Sequence, residues 1–158
     1  MTKVFALGGS VLTENLDKLE EYGEAFDSFD EQIVVVTGAG KLKDNILAAE
    51  EIANQSELDM IGIKATRLNA ETLKTAIDSH PKTPENPEEV REVAATGENF
   101  VMGGMVPGYS TDAVAATVAE LLDAELYIAT SIDGVYNKDP EEDGAEKLDE
   151  VSLEKLRE

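Results

Sequence analysis

The sequence predicts an α/β fold with a mainly parallel sheet sandwiched by helices, on three observations. Short apolar runs alternate with helix-period segments along the chain. The run Gln32-Ile33-Val34-Val35-Val36 is β-branched without polar alternation, which suits a strand buried on both faces. Three of the runs end in glycine turns, at Gly8-Gly9, Gly38-Ala39-Gly40 and Gly103-Gly104.

The elements follow in order. Lys3 to Leu7 reads as the first strand and stops at Gly8-Gly9-Ser10. Leu16, Leu19, Tyr22 and Phe26 recur at helical spacing and predict a helix over about 16–29. The second strand, Gln32 to Val36, leads through Thr37 into the second glycine turn, and a helix is expected over about 42–53. A longer helix is expected over about 57–77, with Leu58, Ile61, Ala65 and Leu68 on one face. Pro81, Pro84 and Pro87 make the polar stretch 78–87 a loop, followed by a short helix over about 88–95. Phe100 to Met102 is the third strand. Thr111 to Leu122 is helical, with Val114, Val118 and Leu121 facing inward, and Leu126 to Ala129 is the fourth strand. Residues 133–140 read as a loop, and a last helix is expected from Ser152 to Arg157. At 158 residues without repeats or low-complexity linkers, the chain reads as one domain.

Composition narrows the function. There is no cysteine, so disulfides, thiolate metal sites and cysteine nucleophiles are excluded together. No apolar run has the length of a membrane span, and the N-terminus lacks a signal-peptide pattern, so a cytoplasmic protein is expected. Acidic residues number 34 against 13 basic, for a net charge of −21. Such a field repels nucleic acid and acidic membrane surfaces. The acids are spread along periodic segments rather than gathered in a tail, which points to adaptation to high intracellular salt. Cations near any phosphate site are therefore scarce and informative.

The glycine turns suggest phosphate chemistry. In an open α/β sheet, ligands sit beyond the carboxyl ends of the strands, where helix N-termini offer unpaired N–H groups. Glycine lets the backbone approach a phosphate closely. Any one such turn is equally well a simple strand–helix connection, and it is the three together that point to a ligand. The segment Met102 to Asp112 adds Gly108, Pro107 and two hydroxyls at a helix start, where Ser110 or Thr111 also fits as an N-cap. Neither a P-loop lysine pattern nor a spaced G-x-G-x-x-G follows the strands.

Five segments in order carry a resemblance. They are Leu7-Gly8-Gly9-Ser10-Val11-Leu12, Val36-Thr37-Gly38-Ala39-Gly40-Lys41-Leu42, and Leu58-Asp59-Met60-Ile61-Gly62-Ile63 with Thr66-Arg67-Leu68-Asn69-Ala70. They continue with Gly103 to Ala116 and with Ile132-Asp133-Gly134-Val135-Tyr136-Asn137-Lys138-Asp139-Pro140. Together they resemble the archaeal-type uridylate kinases of the amino acid kinase superfamily, over nearly the whole chain. The resemblance implies a three-layer amino acid kinase-like fold and transfer of the ATP γ-phosphoryl group to UMP in pyrimidine nucleotide biosynthesis. It implies ATP and Mg²⁺ as cofactors, with the metal held largely by phosphate oxygens and water and no protein metal site. It implies catalytic positions at Gly9, Gly40, Lys41 and Asp112. UMP would lie on Gly38, Ala39 and Asp59, the last taking a ribose hydroxyl, and on Met105, Val106, Pro107, Gly108, Tyr109, Ser110 and Thr111. ATP would lie on Gly9, Ser10, Gly40, Lys43, Thr130, Tyr136 and Asp139. Residues 1–115 would form mainly the UMP side and 116–158 the start of the ATP side, within a homo-oligomer based on dimers, a hexamer.

The chain departs from that pattern in four places. Ala6 stands where relatives often carry a basic residue. Lys43-Asp44 stands where an arginine normally follows the second turn, so Lys41 or Lys43 would supply the charge, without an arginine's fork. The region after Ile77 is polar where relatives have a further apolar strand. The relatives also continue past the helix at which this chain ends, so the C-terminal part of the ATP side is expected to be missing. Arg67 reads equally as a ligand or a structural ion pair, and His80 is given no role. Two alternatives stay open: a kinase of the same superfamily with a different acceptor, and a non-catalytic nucleotide-binding or assembly module.

Overall fold

The computed structural model describes residues 1–150 and Ser152. Among them, four strands form one sheet in the order β3-β2-β1-β4: β1 Thr2–Leu7, β2 Gln32–Thr37, β3 Phe100–Met102 and β4 Glu125–Ala129. Every neighbouring pair is parallel, with Val4 opposite Val34 and Leu126, and Val34 opposite Phe100. All four carboxyl ends therefore lie along one edge of the sheet. That is where the glycine turns leave β1, β2 and β3.

Side chains alternate across a strand, so the continuous apolar runs feed two cores. Val4, Ala6, Val34, Val36, Phe100 and Met102 face helices α5 (Pro87–Ala94) and α6 (Thr111–Leu122), through Val90, Val93, Val114 and Val118. Leu7, Ile33, Val35 and Val101 face the opposite layer. There they meet Leu12 of α1 (Gly9–Thr13), Phe26 of α2 (Leu19–Asp27) and Ala70 and Leu73 of α4 (Gln55–Lys74). The sheet is thus sandwiched by helices, as expected from its composition. Helix α3 (Lys43–Ala49) flanks α4 outside both cores.

Several boundaries differ from the sequence reading. The helix expected over 16–29 begins with a separate 3₁₀ turn, Leu16–Lys18. A five-residue helix, α1, starts directly on Gly9 and was not expected, because five residues carry no visible period. The helix expected over 42–53 ends at Ala49 and is entered through a 3₁₀ turn, Gly40–Leu42. Helix α4 starts two residues early because Asn54 and Glu57 close a capping box. Its inward face carries Ile63, Ala65, Asn69, Ala70 and Leu73, so Ala65 of the expected apolar face is buried whereas Leu68 is 56% exposed. Ala6 is buried beneath α6, away from the open turn. The helix expected from Ser152 lies outside the described residues.

The proline segment after α4 is tied down as a strap. Lys74 Nζ donates to the Pro81 carbonyl at 2.9 Å and to Thr83 Oγ1 at 3.0 Å, and it pairs with Glu71 at 2.6 Å. Thr83 Oγ1 in turn donates to Glu71 at 2.6 Å. The Lys74 ammonium first, and then the Thr83 hydroxyl, hold the Glu71 carboxyl below the usual carboxylate range. A depressed folded-state pKa contributes stability above the unfolded value and loses it as pH falls through the folded value. Glu71→Gln is therefore expected to lose a small part of its stability at neutral pH. It should also lose less than the parent between neutral pH and the acid limb. Urea titrations at several pH values read this directly.

Candidate functional site

The turns at the carboxyl edge are packed against each other by their own backbones. A Cβ on Gly9 would fall 2.0 Å from the Gly40 amide nitrogen and 2.7 Å from that of Ala39. A Cβ on Gly40 would fall 2.2 Å from the Gly9 carbonyl, and Gly40 has φ +55°, the left-handed region that glycine enters without strain. A Cβ on Gly38 would meet the Gly9 amide at 2.6 Å. The glycines in these two turns are thus required first by their contact with one another.

The buried polar side chains of the described residues are Thr13, Thr37 and Asn69; Thr13 and Asn69 brace these turns, and Thr37 ties the end of β2 to α4. Thr13 Oγ1 donates to the Gly9 carbonyl at 2.8 Å and accepts from the Lys41 amide at 3.0 Å, bridging the first turn to the second. Thr37 Oγ1 donates to the Thr66 carbonyl at 2.8 Å. Asn69 Nδ2 donates to the Gly38 carbonyl at 2.7 Å and to the Ala39 carbonyl at 3.0 Å. Each replaces water at a backbone group that would be costly to bury unpaired.

The third turn is held from the same stretch of α4. Thr66 Oγ1 accepts from the Gly104 amide at 2.8 Å, and Arg67 Nε donates to the Gly104 carbonyl at 3.1 Å. A Cβ on Gly103 would fall 2.7 Å from both the Arg67 amide nitrogen and Thr66 Oγ1. Arg67 also pairs with Glu85 of the strap at 2.9 Å, so its role is structural. The segment Thr66-Arg67-Leu68-Asn69 is therefore a clamp on two glycine turns at once. Its signal in the sequence was the motif Thr66-Arg67-Leu68-Asn69-Ala70.

Between these parts lies a cleft of about 800 Å³, walled by α3, α4 and the loop after Gly104. Of the expected acceptor residues, it collects Ala39, Asp59, Val106, Pro107, Gly108, Tyr109, Ser110 and Thr111. Gly38 lies buried beneath it, and Met105 packs against the core under α6. Ser110 also caps α6, its Oγ accepting from the Ala113 amide at 3.2 Å, so capping and lining coexist there. Lys43, expected with the donor residues, lies on this cleft instead and is the cation among its lining residues. Residues not anticipated also line it, among them Gln55, whose Nε2 donates to Asp59 Oδ1 at 2.8 Å. That bond fixes one carboxylate oxygen and leaves the other for a ligand.

The remaining expected residues are not brought into the cleft. Gly9 and Ser10 begin α1, which no side chain caps, so its first-turn amides have no intrahelical partner. Lys41 has its amide on Thr13 and its side chain in solvent, and Asp112 is exposed on the first turn of α6. Thr130 and Asp139 lie in irregular backbone after β4 and Tyr136 in an isolated antiparallel bridge with Lys147, each hydrogen-bonded within its own segment. The Tyr136 hydroxyl donates to Asp133 at 2.8 Å, which pushes its pKa up.

Comparison with known proteins places this geometry. The model of the amino acid kinase family matches residues 1–158. The uridylate kinase of Methanosarcina mazei is 44% identical over 166 residues, covering 99% of this chain and 71% of that protein. The crystal structure of uridylate kinase from Archaeoglobus fulgidus superposes with a TM-score of 0.86 at 41% identity, covering 99% of this chain and 76% of the other. An isopentenyl phosphate kinase is 18% identical with a TM-score of 0.59 over 99% of this chain and 85% of its own, and shares the fold alone.

The backbone contact between the first two turns has a direct test. Gly9→Ala drives a methyl group into the Gly40 amide, where only backbone movement relieves it. It is expected to destabilise the fold by about 2–3 kcal/mol, read as a lowered urea midpoint at unchanged slope. An unchanged midpoint would show that the turns do not touch.

Proposed function

The chain belongs to the amino acid kinase family, and from that premise we propose that it transfers the γ-phosphoryl group of ATP to UMP, giving ADP and UDP. The observation that carries the reading is the convergence of the Ala39 turn, Asp59 and the 106–111 loop on one cleft beside the Gly9–Gly40 contact. Its likeness to the Archaeoglobus fulgidus uridylate kinase extends over the same elements and supports the assignment.

In this reading a UMP phosphate oxygen attacks the γ-phosphorus in line while the bond to the ADP oxygen breaks. There is little covalent work for the protein, so catalysis is positioning and electrostatic stabilisation. Backbone amides of the second turn and the Lys43 ammonium face the acceptor phosphate. Asp59 accepts a ribose hydroxyl, and residues 105–111 enclose the uracil. Gly9 and Ser10 offer first-turn amides of α1 to the ATP phosphates. Among the described residues no three His, Cys, Asp or Glu side chains converge to hold a metal. Mg²⁺ is proposed to come with ATP, held largely by its phosphate oxygens and water, where it would neutralise charge. Residues 1–115 form mainly the acceptor side and 116–158 the start of the donor side. The chain spans about three quarters of the length of the uridylate kinases it matches. No described helix is long and apolar enough to cross a membrane. The setting proposed is pyrimidine nucleotide biosynthesis in the cytoplasm of a salt-adapted cell, in a homo-oligomer.

The purified chain in concentrated KCl with Mg-ATP, offered UMP, CMP, AMP and isopentenyl phosphate separately, is expected to release ADP with UMP. Turnover with another acceptor alone would replace the substrate. Binding of UMP without turnover would make the chain a nucleotide-binding module.

Two further outcomes follow from the site and the charge. Asp59→Ala removes a hydrogen bond to a charged group, worth about 1.5–3 kcal/mol. The KM for UMP should therefore rise about ten- to hundredfold with a smaller change in kcat, in steady-state assays. The net charge of −21 repels itself at low ionic strength. The melting temperature should accordingly climb with KCl concentration in scanning calorimetry, and a fall would contradict salt adaptation.

A further inference from the structure

Asn69 is the most deeply placed polar side chain of α4, 5% exposed, and no substrate role reaches it. Both its amide hydrogens are committed to consecutive carbonyls, Gly38 at 2.7 Å and Ala39 at 3.0 Å. The peptides concerned are trans, and in a trans peptide the N–H points opposite to the C=O. Turning the Gly38 and Ala39 carbonyls toward α4 therefore turns the Ala39 and Gly40 amides away from it. Both nitrogens lie beside the first glycine turn, where a Cβ on Gly9 would fall 2.0 Å from that of Gly40 and 2.7 Å from that of Ala39.

The backbone there has a second property. Ala39 is right-handed helical (φ −78°, ψ −34°) and Gly40 has φ +55°, the right-then-left sequence that gathers successive amides into an anion-binding concavity. The third amide of the set, that of Lys41, is held by Thr13 Oγ1 at 3.0 Å. Ala39 and Gly40 donate to no other group among the described residues. One wall of the concavity is thus pinned from α1 and the other from α4.

We propose that Asn69 is a positioning residue, whose grip on the Gly38 and Ala39 carbonyls orients the Ala39 and Gly40 amides for a phosphate seated beside the junction of the first two turns. The inference rests on the phosphoryl-transfer reading for the group it serves, but its geometry is separately measurable. A merely structural asparagine would stabilise the fold and leave the amides of the turn indifferent to phosphate.

The experiment is a titration of ¹⁵N-labelled chain with UMP and, separately, with inorganic phosphate, following backbone amides by NMR. In the parent chain the Ala39 and Gly40 amides should shift with either probe. In Asn69→Leu, which keeps the branched skeleton and removes both donors, those shifts should be lost while amides of the 106–111 loop still respond to UMP. Asn69→Ser keeps one donor and should retain part of the response, and it serves if the leucine variant does not fold. Where the parent turns over UMP, kcat of Asn69→Leu should fall about 100-fold, by more than KM rises, at temperatures where the variant is fully folded. Unmoved Ala39 and Gly40 amides in the parent, or full retention of their shifts in folded Asn69→Leu, would overturn the proposal. A parent chain whose amides respond but which transfers no phosphoryl group would instead end the kinase reading and leave the positioning role standing.

Discussion

The site depends on one contact, in which the backbone of Gly9 lies directly against the backbone of Gly40. Two parallel neighbouring strands deliver the two turns to the same edge, but strand pairing alone leaves side chains between them. Removing the Cβ atoms at 9, 38 and 40 closes that gap to backbone distance. Two of the three buried polar side chains among the described residues then serve the same junction, and the third braces the strand that leads to it. Thr13 ties turn to turn, Thr37 ties β2 to α4, and Asn69 ties α4 to the second turn. An apolar core would have been content without any of them, and each is satisfied by backbone groups rather than by another side chain.

The layers on either side make that junction rigid. The two cores share the same strands through alternate residues, so the position of each turn is set from both faces of the sheet. Helix α4 is the element that joins the parts. Its first turns present Gln55 and Asp59 to the cleft, its middle clamps the second and third turns, and its end holds the proline strap. Binding at the cleft and stability of the α4 layer are therefore coupled through one helix. The electrostatic setting is unusual for a phosphate site. Lys43 is the cation among the cleft's lining residues, in a chain of net charge −21, so in the proposed reading neutral backbone amides would carry more of the recognition.

Much of this was legible in the sequence, for identifiable reasons. The strands could be read because Ile33 to Val36 has no polar alternation and three of the four runs lead into glycine turns. The cleft residues could be read because Asp59 and the 106–111 loop sit in ordered motifs. What escaped reading was short or long-range. Helix α1 is too brief to show a period. The inward face of α4 was misplaced in part because Asn69 is buried to bond backbone while Leu68 points outward, reversing the usual hydrophobic signal. Arg67 stayed ambiguous because its partners, Gly104 and Glu85, lie far along the chain. The strap depends on Lys74 meeting Thr83 and the Pro81 carbonyl, which no local pattern announces. That Lys43 lines the cleft was not legible either, because sequence order does not say which side of a 3₁₀ turn its successor faces.

The central claim is that the edge of the sheet carries a uridylate acceptor site built around the Gly9–Gly40 junction. A crystal structure of the chain with UMP tests it most directly. The account requires the phosphate on the Ala39 and Gly40 amides, a ribose hydroxyl on Asp59 and the uracil within the 105–111 loop. UMP bound elsewhere on the molecule, or in the cleft with its phosphate turned away from the glycine junction, would contradict it.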